Sequence, residues 1–358
     1  MQPIPPFTTA TPPPPRPIPV QQLPRPGVMH LALFFASIAW YRIAAALAAS
    51  AANGFAVRLD AADEQPLIEA VALLFMILLG LAALRIMERT LIPFRLSLGI
   101  PKRPTAREEW TTGAALGWGV SVISAMAMVL ARSLHVQFWT TPHAFVVLGV
   151  SATALAITTL AKLLALYGYG FQHLVEGTGA ARATALLLVL VVLDAVITPT
   201  AYGTADGVRV LVSAFGALLL CLCWLRTRAL WLGWGGWFGW SASTALIFGL
   251  PVSARFSYSA VVDARASGHL WLTGGNYGPA ASVLLAILFL AAIPLLVRLS
   301  DEYAWRYTRK PLVPGGIAVE IPAPAAHATV EPPPPPTPSL VQIQPLAPSA
   351  VGEDAGSS

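Results

Sequence analysis

The chain has 358 residues, of which 56% are apolar and only 11% are charged, and its formal net charge is +5. Soluble domains usually carry about 25% charged residues, so this composition excludes a water-soluble globular protein. The positive charge does not indicate a nucleic-acid partner, because the basic residues lie in short loops between apolar runs, which is the orientation signal of a membrane protein.

Both ends of the chain are rich in proline. Residues 1–27 and 311–358 hold 11 and 12 of the 32 prolines. Polyproline segments form no internal hydrogen bonds and bury little surface. We therefore predict disordered cytoplasmic tails at 1–27 and 301–358, with a membrane domain at 28–300 between them.

The membrane domain contains eight apolar runs. Each is about 20 residues long, the length that a helix needs to cross the hydrocarbon core of a bilayer. Lipid cannot satisfy the backbone amides of open strands, so the predicted fold is all-α and polytopic, with about eight transmembrane helices. The runs cover 29–52, 66–87, 110–131, 143–166, 181–200, 207–225, 230–250 and 280–299.

Lysine and arginine positions predict the orientation of these helices. With eight crossings, fifteen of the 22 basic residues fall on the side of the termini, and Arg42 and Lys162 lie within helices. Only five fall on the opposite side: Arg58, Arg132, Arg209, Arg255 and Arg265. The positive-inside rule then predicts a multi-pass protein of the cell membrane with both termini in the cytoplasm.

Two stretches stand out in this part of the chain: LLLCLCWLRTRALWLGWGGWFGWSAS (218–243) and LLALYGYGFQHL (163–174). They resemble segments of the CPBP family of intramembrane glutamic peptidases, which includes the CAAX prenyl proteases and bacteriocin-processing proteins. The first, which is the most specific, is similar to the family's segment containing Leu-Arg-Thr and a late His-x-x-x-Asn helix. The second is similar to the helix that begins with a glutamate pair. Weaker similarity covers 95–119, 248–253 and 271–282.

The resemblance implies a membrane peptidase in which a glutamate pair activates water beside a histidine on the next helix. In this chain, however, the functional positions carry other residues. The glutamates fall on Lys162 and Leu163, and the motif's arginine falls on Tyr167. The second-motif histidine falls near Ala195, and the final histidine and asparagine fall on Trp237 and Ser241.

These replacements remove the groups that hydrolysis needs. A general base must be titratable and within hydrogen-bond reach of water, which alkyl and indole side chains cannot provide. Lysine is protonated at neutral pH unless desolvation lowers its pKa strongly. Ser241 is not a predicted nucleophile either, because residues 280–299 contain no histidine to activate it.

We therefore predict a non-catalytic pseudo-peptidase that binds a membrane protein or a prenylated or hydrophobic peptide within the lipid bilayer. We predict no cofactor, no metal site and no nucleic-acid partner. Two alternatives stay open. One is an active intramembrane endopeptidase with relocated groups, and the other is a small-solute transporter, which the intramembrane charges alone suggest.

Lys162 and Asp194 are the deepest charges of this region. At 1.5 Å per residue, both lie roughly 20 Å from the same side of the membrane. Because unpaired charges in hydrocarbon are costly, we predict an ion pair between them. The alternative is that Lys162 snorkels and Asp194 caps a kink before Pro199.

Two further groups have competing interpretations. Trp231, Trp234, Trp237 and Trp240 repeat every three residues, and we predict that they plug a former cavity rather than form a ligand-stacking wall.

His173 shares a helical face with Glu176 near the cytoplasmic boundary. Two groups make a poor metal site, so a solvated pair is the prediction there.

Overall fold

The computed structural model describes residues 27–59, 63–88, 93–198, 206–252, 258 and 261–308. Within these ranges, six helices are long and apolar enough to cross a membrane. They are α1 (Gly27–Leu59), α2 (Gln65–Glu88), α4 (Ala106–Leu130), α5 (Pro142–Leu163) with its continuation to Thr178, α7 (Ala180–Ile197) and α8 (Asp206–Thr227). These six helices confirm the prediction of a helical, multi-pass membrane protein.

The other two predicted spans correspond to shorter helices. Run 230–250 contains α9 (Trp231–Ala242) and a π-helical extension, Ser243–Ile247. Run 280–299 contains α11 (Val283–Leu299), which bends by 58° into α12 (Asp301–Thr308). A seventh span results if this bent pair is counted as one, so the number of eight stays a prediction.

Short elements fill the connections between the long helices. α3 (Phe94–Ser97) precedes α4, and α10 (Leu270–Thr273) precedes two 3₁₀ turns, Gly275–Tyr277 and Pro279–Ala281. Strands β1 (Leu134–Phe138) and β2 (Val262–Ala266) pair antiparallel, with Leu134 opposite Ala266. The sequence did not predict this pair, because its strands are far apart in the chain and neither lies in an apolar run.

The tightest packing joins α4 to α9, which run parallel. A Cβ atom on Gly113 would lie 2.1 Å from the Leu232 carbonyl oxygen, and one on Gly239 would lie 2.3 Å from the Ala114 carbonyl oxygen. Further along, the Ser121 and Thr244 hydroxyls hydrogen-bond to each other. Small residues four positions apart let two helices approach closely in this way.

Polar contacts gather several loops at one end of the bundle. Arg103 donates a hydrogen bond to the Thr227 carbonyl oxygen (2.8 Å) and forms an ion pair with Glu109. Arg226 donates to the Ser300 hydroxyl (2.5 Å) and forms an ion pair with Asp301. The loops that meet here are among those that the charge count assigns to the same side of the membrane.

The boundary of the second tail needs a correction. The sequence predicts a disordered tail over 301–358, whereas Asp301–Thr308 form α12. This helix is held to the membrane domain by contacts such as the 2.6 Å hydrogen bond between the Tyr307 and Thr105 hydroxyls. The rest of the predicted tails, 1–26 and 309–358, lies outside the described residues.

Candidate functional site around Lys162 and α9

The helix that carries the first motif is distorted where the motif lies. α5 continues without interruption into a π-helical segment, Leu164–Gly170, and then into α6 (Phe171–Thr178). A Cβ atom on Gly168 would lie 2.3 Å from the Leu98 carbonyl oxygen, so the loop before α4 contacts this segment backbone to backbone. Such π segments often occur at functional positions of helices.

The side chains at the first-motif positions are packed in the protein. Leu163 and Tyr167, which the resemblance aligns with a glutamate and the arginine, are only 1% and 3% exposed. The Lys162 ammonium lies 5.3 Å from the centre of the Trp237 ring, on its face. The structure therefore brings together two predicted site residues, one from the first motif and one from the last.

No described carboxylate lies within ion-pair distance of the Lys162 ammonium. Its interaction with Trp237 has the geometry of a cation–π contact. Such a contact contributes about 2 kcal/mol when it is shielded from water. The nearby Arg42 guanidinium repels Lys162 electrostatically. The Lys162 side chain therefore packs with its terminal nitrogen over an aromatic ring.

Asp194 pairs with Arg42 and not with Lys162, so the predicted Lys162–Asp194 ion pair is wrong. The Arg42 guanidinium of α1 contacts the Asp194 carboxylate of α7, and both side chains are 52% exposed at the surface of the helix bundle. Depth along α5 and α7 alone does not identify the partner of Asp194. Arg42 lies deep in the first apolar run and is itself an intramembrane charge that needs a partner.

Ala195, the second-motif position, contributes only its backbone. It is 5% exposed, and its carbonyl oxygen accepts a hydrogen bond from Arg209. Arg209 also donates to the Thr198 carbonyl oxygen (2.9 Å). Arg209 therefore caps the end of α7, where a cation is favoured by the free carbonyl groups.

Ser241 is not arranged as a nucleophile. Its hydroxyl donates hydrogen bonds to the carbonyl oxygens of Trp237 (2.8 Å) and Phe238 (3.2 Å), one turn earlier in α9. The side chain is 1% exposed. Bonding to the preceding turn is common for serine within helices and activates no proton transfer.

The four α9 tryptophans do not form one continuous wall. Trp231 donates its indole N–H to the Pro101 carbonyl oxygen (3.1 Å), whereas Trp234 donates to the Ala156 carbonyl oxygen (3.2 Å). Trp237 and Trp240 pack against each other, with ring centres 5.3 Å apart. Trp231 and Trp234 also pack against each other, with ring centres 6.1 Å apart, so the four rings form two contacting pairs.

An apolar cavity of about 70 Å³ lies beside Trp237, between α4, α8, α9 and α11. We call it the glycine groove. Its lining combines the rings of Trp237, Trp240 and Phe289 with glycines and aliphatic side chains, and it includes no carboxylate, histidine or lysine of the described residues. The glycines are Gly113, Gly117, Gly216, Gly233 and Gly236. This lining favours an alkyl group over a charged ligand.

Comparisons with protein-family models, with curated proteins and with solved structures found no match to this chain. Fold and site together define a multi-pass helical membrane protein whose described core is mainly apolar.

Proposed function

We propose that this chain is a CPBP-like membrane protein of eight crossings that has lost peptidase chemistry and binds hydrophobic ligands within the bilayer. The ligand class is a membrane-protein segment or a prenylated or otherwise hydrophobic peptide. The protein resides in the cell membrane with both termini in the cytoplasm.

The contact between Lys162 and Trp237 carries this proposal. These positions correspond to a glutamate and the final histidine in the resemblance, and here their side chains touch each other. An indole ring cannot abstract a proton from water, and no described carboxylate or histidine pairs with Lys162 to complete a catalytic dyad. Leu163 and Tyr167, which the resemblance aligns with other functional positions, are almost fully buried.

The glycine groove supports the binding part of the proposal. Glycines on α4, α8 and α9 leave room beside three aromatic rings, and the lining is almost wholly apolar. At about 70 Å³ the groove has room for a short part of an alkyl or isoprenoid chain, and the only buried, unpartnered polar atom among its described lining side chains is the Trp240 indole nitrogen. Binding would depend on shape and dispersion contacts, because lipid is as apolar as the groove.

In one version of the active-peptidase alternative, Asp194 activates water beside Lys162. In the structure, Asp194 forms an ion pair with Arg42 instead. No contact of the described residues favours the transporter alternative either.

Two assays on the full chain in proteoliposomes test the proposal. The first measures cleavage of prenylated and transmembrane model peptides, and we expect none. The second measures crosslinking of a prenylated peptide that carries a photoreactive group, and we expect labelling that Ala292→Leu weakens, because Ala292 lines the groove.

Ala291→Leu is the matched control, since Ala291 is an exposed neighbour on the same helix. Peptide cleavage that disappears in an Asp194→Asn variant would refute the loss of chemistry. Equal labelling of the Ala292→Leu and Ala291→Leu variants would refute binding in the glycine groove.

A further inference from the structure

Two histidines and a glutamate from distant parts of the chain meet at the junction of α1 and α6. The Nδ1 atoms of His30 and His173 are 3.2 Å apart. The Glu176 carboxylate lies 3.5 Å from His30 Nδ1 and 3.6 Å from His173 Nδ1. We call these three residues the His–His–Glu cluster.

The three distances match the edges of a metal coordination shell. Ligand atoms at about 2.0–2.2 Å from a tetrahedral zinc ion lie about 3.3–3.5 Å from each other. The observed 3.2, 3.5 and 3.6 Å describe a nearly equilateral triangle of that size. An ion slightly above the plane of this triangle would contact all three atoms and keep one coordination position open.

We propose that the His–His–Glu cluster is a binding site for a divalent transition metal ion, with zinc as the representative ion. Neutral imidazole nitrogens and a carboxylate are ligands that zinc accepts. The sequence predicted no metal site because His173 and Glu176 are only two ligands. The third, His30, is 143 residues from His173 and becomes visible only in the fold.

Two further side chains, those of Glu88 and Tyr169, lie next to His173. The other ring nitrogen of His173, Nε2, lies 3.8 Å from the Glu88 carboxylate, and both of these side chains are almost fully buried. The Tyr169 ring packs edge-on against His173, with centres 4.5 Å apart. A carboxylate behind a histidine ligand fixes the ring orientation and raises the basicity of the ligand.

Backbone packing holds His30 in place. A Cβ atom on Gly177 would lie 2.8 Å from the His30 Cβ atom and 3.3 Å from the Gly27 carbonyl oxygen. The start of α1 and the end of α6 therefore touch through glycine. A bound ion would fasten these two helix ends to each other.

Metal binding is measured on the full chain in detergent micelles, purified through a tag without histidine. We expect about one zinc ion per chain, removable by a chelator, and a higher melting temperature when zinc is present. We also expect Co²⁺ to give the visible absorption of a tetrahedral site. His30→Ala should lower zinc affinity at least tenfold and abolish the zinc-dependent thermal shift.

His143→Ala is the control, because His143 is exposed and pairs with Asp63 away from the cluster. If His173→Ala fails to fold, Glu176→Gln provides the second test, since Glu176 is 42% exposed. The proposal is overturned if the folded protein takes up no zinc. It is equally overturned if His30→Ala and Glu176→Gln bind zinc as tightly as the unmodified chain.

Discussion

Gly117 of α4 lies so close to Gly236 of α9 that a Cβ atom added to Gly117 would be 2.0 Å from the Gly236 carbonyl oxygen. Gly117→Ala therefore has to push the two helices apart. We expect it to lower the free energy of unfolding by about 1–3 kcal/mol, the usual range for overpacking. Reversible unfolding in mixed micelles measures this change.

Gly119 is the matched control for that substitution. It lies two residues further along α4, and a Cβ atom there would meet nothing within 4 Å. Gly119→Ala should be neutral or stabilising by up to about 1 kcal/mol, because alanine is the better helix former. If both alanine variants behaved alike, close contact between α4 and α9 would be disproved.

The Arg42–Asp194 ion pair predicts a strong coupling between α1 and α7. Either Arg42→Leu or Asp194→Leu leaves a lone charge on an apolar surface, which should cost on the order of 2–3 kcal/mol of stability. The double variant should recover most of that loss of stability, because neither member of the pair is then left as an unpaired charge. A double-mutant cycle on thermal unfolding measures the coupling, and strictly additive losses would contradict the pair.

Lys162→Met should leave the protein as stable as before or more stable by about 1 kcal/mol. The substitution removes a charge that no described carboxylate neutralises, which favours the variant. It also removes the cation–π contact, but the methionine side chain still packs on the Trp237 ring. The measurement is the melting temperature in detergent. Lys102→Met, in an exposed loop, controls for the change in net charge. A sharp loss of stability in Lys162→Met alone would mean that the Lys162 charge is paired.

Arg226→Lys should loosen the end of the bundle where α8 meets α12. Arg226 donates hydrogen bonds to the Ser300 hydroxyl and to the Val297 carbonyl oxygen (2.9 Å), and it forms an ion pair with Asp301. A planar guanidinium can make these contacts at the same time, whereas the single ammonium group of lysine cannot. We expect faster proteolysis or hydrogen exchange of α12. Arg182→Lys is the control, because Arg182 lies at an exposed helix start, and it should change neither rate. If α12 were cleaved and exchanged at the same rates in both variants, Arg226 would not hold it in place.

The long helices could be predicted because a run of apolar residues is a local property of the chain. Six of the predicted runs coincide with helices of membrane-spanning length. The close contact of α4 and α9 was partly visible, since the glycines between the α9 tryptophans indicate a helix that approaches a neighbour. The glycines on α4 that meet them lie more than a hundred residues away, and only the fold shows which helix they face.

The partners of single charges could not be predicted in the same way. Asp194 had two cations at similar depth, Arg42 and Lys162, and depth along a helix says nothing about which helix face meets which neighbour. The choice of Arg42 depends on how α1 and α7 are rotated about their own axes. For the same reason, His30 gave no sign in the sequence of its contact with His173.

The π-helical segment Leu164–Gly170 sets the relation between the two halves of its helix. A wide turn of this kind accommodates one residue more than a regular α-helix, so it rotates everything that follows by about 100°. Lys162 precedes it and His173 follows it. Deleting a single residue from this segment would restore a regular helix, and Lys162 could then meet Trp237 only if His173 turned away from His30. The extra residue lets one helix serve two unrelated contacts at different depths of the membrane.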